Sequence, residues 1–473
     1  MPYNIFISYF FEIKVVKGVY TMDKSTTKKG NKSELFLLDG KPSIAAAFPL
    51  SIQHLLAMII GNVSPAIIIA AGAGLSPEDQ AMLVQCSMFA AAIATFIQVF
   101  GIWKFGAKLP IVMGVNFAFV TVIMTINETY GLPAIYGAQI ISGIVVIIFG
   151  AFIQKIRKYF PPIVAGTTVL TIGISLYPVA VQYMAGNPAL GPENFGTVKN
   201  WAVAMLTALV VFFVDQYGKG YIKVVAMLFG ILAGFILSAI FGMVDLSQVA
   251  AAKMFDYPRL FPFGVEFNLG ATLTMIMMFI VTSVEAIGDV SSTTVGGLDR
   301  DATTDEISGN IMGNGLSTII NAFFGGLPTA TFSQNCGLVA TTKVVSKRVI
   351  SLTAILVLVA GFIPKFGAFM VSIPYPVIGG ATISVFAIIT INGIKLITSE
   401  PLTARNSAII GLALSLGIGI TQVQGSLQHF PEFVQTFFGG SPVIIATLIA
   451  FILNLIVPKK TIEQEEEDRK IVD

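Results

Sequence analysis

Fourteen apolar segments set the limits on what this chain can fold into. A helix needs about 20 apolar residues to cross a bilayer, and it satisfies its backbone hydrogen bonds without water. Of the 473 residues, 55% are hydrophobic and 11% are charged, whereas soluble domains carry about 25% charged residues. The sequence therefore predicts an all-α polytopic membrane protein. Its candidate spans lie near residues 45–73, 80–103, 111–127, 133–154, 162–185, 199–216, 222–244, 268–289, 306–325, 331–345, 348–372, 375–396, 405–423 and 440–458.

The basic residues predict how these spans are oriented. When the spans alternate in direction, 24 of the 28 Lys and Arg residues fall on one side. Cytoplasmic loops carry such an excess, so both termini are predicted to be cytoplasmic. The lack of long loops indicates a bacterial inner membrane. Met22 opens a Lys-rich stretch typical of a cytoplasmic tail, and we expect it rather than Met1 to be the true start.

Two of the segments are short, interrupted by Pro or Gly, and similar to each other. Residues 109–117 and 327–335 each begin with Leu-Pro, and each carries an Asn-Phe or Gln-Asn pair six residues after the proline. They lie 218 residues apart, and each is in the third of its seven spans, so the sequence predicts 7+7 inverted repeats. Paired breaks of this kind indicate a transporter site at the membrane midplane. The residues after each proline favour short paired strands, and simple helix kinks are the alternative.

Three ionisable side chains in the predicted spans are candidates for function. A carboxylate near the bilayer centre costs about 2.5–3.5 kcal/mol on insertion scales, so we expect Glu285 to bind a polar solute or a proton. Its alternative role is as the structural partner of a helix end. Asp289, one turn further on, is either a structural cap or a coupling group. His54, which follows Gln53, either relays protons, orients a carboxylate or simply packs.

Motifs for other functions do not occur in the sequence. It contains no cluster of His, Cys and acidic residues at metal-ligand spacing, no nucleotide-binding fingerprint and no Ser-His-Asp constellation. Cys86 and Cys336 both lie in predicted spans, which argues against a disulfide framework. We therefore expect neither an enzyme nor a protein that binds a metal, a cofactor or nucleic acid.

The interrupted second segment carries a motif that resembles the signature of the nucleobase–ascorbate transporter family, of the uracil and xanthine permease type. That signature reads [Gln/Glu/Pro]-Asn-x-Gly-x-x-x-x-Thr-[Lys/Arg/Gly]. The matching residues here are Gln334, Asn335, Gly337, Thr342 and Lys343. Further features of the family are matched by Gln53-His54, Asn116-Phe117 and Glu285-x-x-Gly288-Asp289, and the resemblance extends from about residue 35 to residue 460.

The resemblance implies the overall architecture. Spans 1–4 and 8–11 would form a core domain, spans 5–7 and 12–14 would form a gate domain, and spans 3 and 10 would each contain a short β-strand. The family is often dimeric through the gate domain, so a homodimer is expected. The implied boundaries are 1–44 and 459–473 for cytoplasmic tails, 45–155 and 251–372 for the core, and 156–250 and 373–458 for the gate.

The resemblance also implies a site and a driving force. The substrate would sit between the two strands, with Glu285 and Gln334 bonded to a nucleobase edge and Phe117 in contact with its ring. Asn335, Asn116 and His54 would support the site, with Gln53 beside them. Transport would be symport with a cation, with a proton favoured over sodium, and Asp289 would assist the coupling.

The first signature position predicts the substrate. Gln at this position is similar to xanthine and uric acid members, Glu to uracil members and Pro to ascorbate members. An amide both donates and accepts hydrogen bonds, which matches the alternating edge of an oxidised purine. Xanthine or uric acid is therefore favoured. The alternatives are a uracil permease, a channel or exchanger-like facilitator for small anions, and a nucleobase sensor that moves no cargo.

One position departs from the family pattern. Many members carry Asp twenty residues before the signature Gln, where this chain has Asn314. Because an amide takes up no proton at physiological pH, coupling here would depend on Glu285, with His54 or Asp289.

Overall fold

The computed structural model describes residues 33–156, 159–186, 191–219, 221–423, 425–458 and 464. The choice between Met1 and Met22 lies outside the described residues. So do most of the two predicted tails, with the exception of residues 33–44 and 464.

Helices make up most of the described chain. In its first half they follow the predicted segments, with the exception of α11 (Ser247–Ala251), which lies in the loop after the seventh segment. A short 3₁₀ helix at Glu34–Phe36 precedes them. The α-helices of the first half are α1 (Ile44–Gly72), α2 (Pro77–Phe100), α3 (Val120–Tyr130), α4 (Leu132–Ala151), α5 (Ile153–Ile156), α6 (Pro162–Ser175), α7 (Tyr177–Ala185), α8 (Val198–Tyr217), α9 (Tyr221–Val224), α10 (Ala226–Ile240) and α11 (Ser247–Ala251).

The second half adds longer helices and one that the sequence did not predict, α19, in the loop before the last apolar segment. A capping box starts α13, because the side chains of Thr303 and Glu306 each accept a hydrogen bond from the other residue's backbone N–H. The helices of this half are α12 (Leu269–Leu298), α13 (Thr304–Phe323), α14 (Ser333–Thr342), α15 (Lys347–Gly361), α16 (Pro364–Val371), α17 (Tyr375–Ile397), α18 (Ala404–Gln422), α19 (Glu432–Gly439) and α20 (Pro442–Ile456).

The described helices include enough apolar length for a polytopic membrane protein. Eight segments within the described residues are long and apolar enough to cross a bilayer, counting α6 and α7 as one segment. A ninth is possible if α15 and α16, which meet at an 82° bend, form one span. Helix α13, the weakest predicted span, is not among these segments, and α3 and α14 are half-length helices as predicted.

Two three-residue strands occupy the interrupted segments, as predicted. Strand β1 (Met113–Val115) pairs with β2 (Thr329–Thr331) in an antiparallel ladder. In this ladder Met113 lies opposite Thr331, its equivalent 218 residues later. Both strands are buried along their whole length.

Side chains from α1 and α2 bind β1. The Val115 backbone N–H donates to Asn62 Oδ1 at 2.7 Å, and the Met113 N–H donates to Thr95 Oγ1 at 3.0 Å. These bonds satisfy backbone groups that neither lipid nor water reaches. Polar residues in two apolar helices therefore anchor non-helical backbone inside the membrane.

Close packing around Phe332 fixes the position of β2 against β1 and α1. A Cβ atom added at Gly61 would lie 2.8 Å from Phe332 Cε1, and one at Gly114 would lie 2.9 Å from Asn62 Oδ1 and closer still to the Phe332 ring. Only glycine leaves room for the ring at these two positions.

The helices pack mainly in two groups. The strand-bearing group consists of α1–α4, α12–α16 and both strands, in which α4 packs along α13 and α2 packs along α15. The strand-free group consists of α6–α8, α10, α17, α18 and α20, with α17 at its centre against α6, α7 and α8. Each group combines segments from both halves of the chain.

Candidate functional site

A cavity of about 700 Å³ lies between the two helix groups. The strand-bearing group contributes α12, the end of β1 and the region from β2 to the start of α14. The strand-free group contributes α6 and α17. The ends of both strands therefore open into the cavity.

Helix α12 places two carboxyl groups on the cavity wall. Glu285 and Asp289 are four residues apart, which puts them one above the other on one helix face. Within the described part of the chain, Glu285 Oε2 and Asp289 Oδ2 are buried and have no hydrogen-bond partner. Gly288 lies beside them, and a Cβ atom at this position would meet no heavy atom within 4 Å. Two carboxyl oxygens are thus available to a solute or a proton.

The N-terminus of α14 brings an amide and a hydroxyl to the same cavity. Ser333 and Gln334 line it, and the Gln334 side chain is exposed to it. The first backbone N–H groups of a helix lack intrahelical partners and carry positive partial charge, so this end favours acceptor groups.

The first interrupted segment supplies the remaining predicted contacts. After β1, Asn116 caps a 3₁₀ turn, accepting a hydrogen bond from the Ala118 N–H at 2.8 Å. Phe117 lines the cavity, and its ring makes an edge-to-face contact with Phe386 of α17, with 5.0 Å between ring centroids. This contact joins the two helix groups beside the site.

Asn335 and His54 lie behind the cavity rather than in its lining. Asn335 is buried, and its Nδ2 lies 3.0 Å from His54 Nδ1 and 3.0 Å from the His54 carbonyl oxygen. Consecutive helical residues point about 100° apart, so Gln334 and Asn335 face different directions. Gln53 is also buried on α1, outside the cavity lining.

Asn314 lies in a different part of the strand-bearing group. It is buried on α13, outside the cavity lining, and its Oδ1 has no hydrogen-bond partner among the described residues. One turn earlier, Asn310 Oδ1 lies 3.5 Å from Thr331 Oγ1, so this helix face is directed toward β2.

Several residues at or near the site were missed by sequence reasoning. Asn62 and Thr95 anchor β1, and Asn392 and Lys395 of α17 line the cavity. The detectable signal was an amide or hydroxyl inside an apolar span. Ser333 was missed because it lies beside the more conspicuous Gln334.

Comparison with known proteins gives consistent matches over most of the chain. Residues 45–426 match the Xan_ur_permease model, which describes a permease family. The uric acid permease PucK of Bacillus subtilis is 34% identical over 86% of this chain and 94% of its own length. The xanthine permease of the same organism is 33% identical over 88% of this chain and 96% of its own length.

Solved structures with low sequence identity share the fold. The transmembrane domain of the cyanobacterial bicarbonate transporter BicA matches with a TM-score of 0.58 at 15% identity, over 86% of this chain and 97% of that domain. Murine Slc26a9, an anion transporter in an inward-facing state, matches with a TM-score of 0.57 at 12% identity, over 94% of this chain and 74% of that chain.

Proposed function

Because this chain belongs to the permease family of the Xan_ur_permease model, the nucleobase–ascorbate transporters, we propose that it imports xanthine or uric acid by secondary active transport. The chain is a multi-pass membrane permease and not an enzyme. The observation that carries the proposal is the convergence of Glu285 and Gln334 on one cavity beside the strand pair. The names of the relatives, a uric acid permease and a xanthine permease, support the substrate class.

Recognition of an oxidised purine follows from the donors and acceptors at the cavity. Gln334 offers both an N–H and a carbonyl oxygen, and Glu285 accepts hydrogen bonds or, when protonated, donates one. This set is complementary to the alternating N–H and C=O groups along a purine edge. The Phe117 ring offers an apolar surface to the base. Asn116 lines the cavity and caps the turn that carries Phe117, and the Asn335–His54 pair holds the start of α14 from behind.

A proton is the coupling cation that we propose. Glu285 and Asp289 each present a buried oxygen without a partner within the described residues, so a proton bound there adds a hydrogen-bond donor to the site. Substrate and proton then stabilise the same closed site, which couples their movement. Asn314, an amide outside the cavity, is assigned no proton in this scheme.

We further propose fourteen spans in 7+7 inverted repeats, with both termini in the cytoplasm of a bacterial cell. The antiparallel pairing of β1 with β2, in which Met113 faces its equivalent Thr331, supports the inverted repeat. The strand-bearing group corresponds to the proposed core domain and the strand-free group to the gate. Rocking of one group against the other would expose the cavity to each side in turn.

The gate is also the proposed dimer surface. Helices α8 and α18 leave most of their residues unburied. In each helix only 28% of the most apolar stretch of 18 residues is buried. This leaves apolar faces for lipid or for a second copy of the chain.

The proposal is tested by measuring the uptake of labelled xanthine into cells that lack their own purine permeases. Uptake should fall when a protonophore collapses the proton gradient, and excess uric acid should block it while uracil does not. Saturable uptake that persists unchanged with the protonophore would rule out proton coupling. Displacement mainly by uracil would favour the uracil permease. Counterflow in vesicles distinguishes transport from binding by a sensor.

A facilitator for small anions is the competing function of another class. The likeness to BicA and Slc26a9 concerns the fold alone. Two carboxyl groups in the cavity disfavour a small inorganic anion, and chloride or bicarbonate flux without purine uptake would support that alternative.

A further inference from the structure

The cavity wall formed by α17 carries a cationic side chain. Lys395 lines the cavity, one turn beyond Asn392 on the same helix face. Among the described cavity-lining residues, the charged side chains are Glu285, Asp289 and Lys395. The carboxyl groups belong to the strand-bearing group and the ammonium belongs to the strand-free group, so the opposite charges lie on opposite walls.

Lys395 is free to act within the cavity. Its side chain is exposed, and within the described part of the chain it forms no ion pair. A lysine ammonium sits on a flexible four-carbon stem, so it can follow a solute rather than hold one fixed geometry. The residue therefore adds positive charge to the cavity without occupying a hydrogen-bond site of Glu285 or Gln334.

The electrostatic effect of Lys395 on a solute depends on the charge of that solute. Uric acid is a strong enough N–H acid to be a monoanion in neutral and slightly acidic water, whereas xanthine and uracil are mainly neutral in slightly acidic water. Two carboxyl groups repel a monoanion when they are ionised, and charges within a low-dielectric cavity act strongly on each other. A neutral base experiences no such net repulsion.

We propose that Lys395 is a specificity-determining residue that admits the monoanion of an oxopurine to the carboxyl-lined cavity. Its ammonium offsets the repulsion from Glu285 and Asp289, and it contributes little to the binding of a neutral base. This inference rests on the proposed function, because it assumes that the cavity carries oxopurines. It adds the charge state of the substrate and a residue on the opposite wall.

Initial uptake rates of labelled urate, xanthine and uracil at slightly acidic pH test the proposal. The variants are Lys395→Met, Lys395→Arg and the control Lys155→Met, which removes an exposed lysine outside the cavity. Lys395→Met should lower the ratio of urate to xanthine uptake by roughly two- to fivefold, the scale of one solvent-exposed charge interaction. Arginine should restore the ratio, and Lys155→Met should leave it unchanged. High salt should reduce the difference between wild type and Lys395→Met, because ions screen exposed charges.

The outcomes separate this inference from the proposed function. Equal loss of urate and xanthine uptake in Lys395→Met, or an arginine variant that behaves like methionine, would overturn the role in specificity while wild-type purine uptake stands. Wild-type protein that reaches the membrane but takes up no purine would overturn the proposed function, and this inference with it. Membrane expression of each variant, measured separately, shows that the protein is folded and inserted.

Discussion

Asn335 binds His54 through both hydrogens of its side-chain amide. Nδ2 lies 3.0 Å from the His54 carbonyl oxygen and 3.0 Å from Nδ1 of the ring. The carbonyl oxygen can only accept, which fixes the orientation of the amide, and Nδ1 must then accept the second N–H. The ring is therefore the tautomer protonated on Nε2, and the amide joins the start of α14 to α1.

Asn335→Asp tests this bridge. The substitution keeps the shape of the side chain but places a carboxylate, which only accepts, against the Nδ1 and carbonyl oxygen of His54, which also accept. The lost hydrogen bonds should destabilise the fold by about 1–3 kcal/mol. Thermal unfolding of the purified protein in detergent measures the loss. Gln334→Glu is the matched control, because its side chain faces the cavity and not a partner, and it should melt like wild type. Equal melting temperatures for all three proteins would contradict the prediction.

Glu285→Gln should abolish purine uptake while the protein remains inserted. The change removes a group that, in the proposed site, accepts hydrogen bonds at both oxygens and binds the coupling proton. A hydrogen bond to a charged group contributes about 1.5–3 kcal/mol. Uptake and surface expression are measured together, with Glu266→Gln as a control on an exposed residue. Loss of membrane expression instead would indicate that Glu285 serves as the structural partner of a helix end.

Gln334→Glu should shift the substrate preference toward uracil. A carboxylate lacks the N–H donors of the amide, which in the proposed site face the carbonyl groups of a purine edge. Competition of labelled xanthine uptake by unlabelled uracil and by uric acid measures the shift. Purine selectivity that survives unchanged would show that the first signature position does not select the base.

Gly114→Ala should lower the stability of the fold, whereas Gly288→Ala should weaken purine binding and leave stability unchanged. At Gly114 the added methyl group would overlap the Phe332 ring and lie 2.9 Å from Asn62 Oδ1, and such overpacking costs about 1–3 kcal/mol. At Gly288 the methyl group meets no heavy atom within 4 Å and enters the cavity, so it should raise the KM for purine without lowering the melting temperature. Thermal unfolding and uptake kinetics distinguish the two, and a stable Gly114→Ala protein with normal uptake would refute the packing argument.

The sequence predicted the elements of this fold better than their contacts. Pro110 and Pro328 lack a backbone N–H, and each is followed by residues that favour a strand, so both interruptions and both strands could be located from local chemistry. Helix α19 was missed because it lies in a loop between apolar segments. The pairing register of β1 and β2 required the positions of other helices, which no local pattern contains.

The predicted site residues also divide into those that local sequence identifies and those whose contacts depend on the fold. Glu285 and Gln334 could be identified because a carboxyl group and an amide are costly in a span unless they have a role. That Asn335 faces His54 while Gln334 faces the cavity depends on where α14 starts, and one residue of shift would exchange them. Lys395 was counted only as a cytoplasmic charge, since nothing local shows that α17 faces the carboxyl groups.

The pairing of β1 with β2 has a consequence for biosynthesis. The two strands are separated by more than 200 positions in the chain, so β1 enters the membrane long before its partner has been made. During that interval Asn62 and Thr95, which are inserted before β1, are the side chains that can shield its backbone amides. The proposed solute site would therefore be complete only late in translation, because a chain that ends before Thr329 lacks both β2 and Gln334.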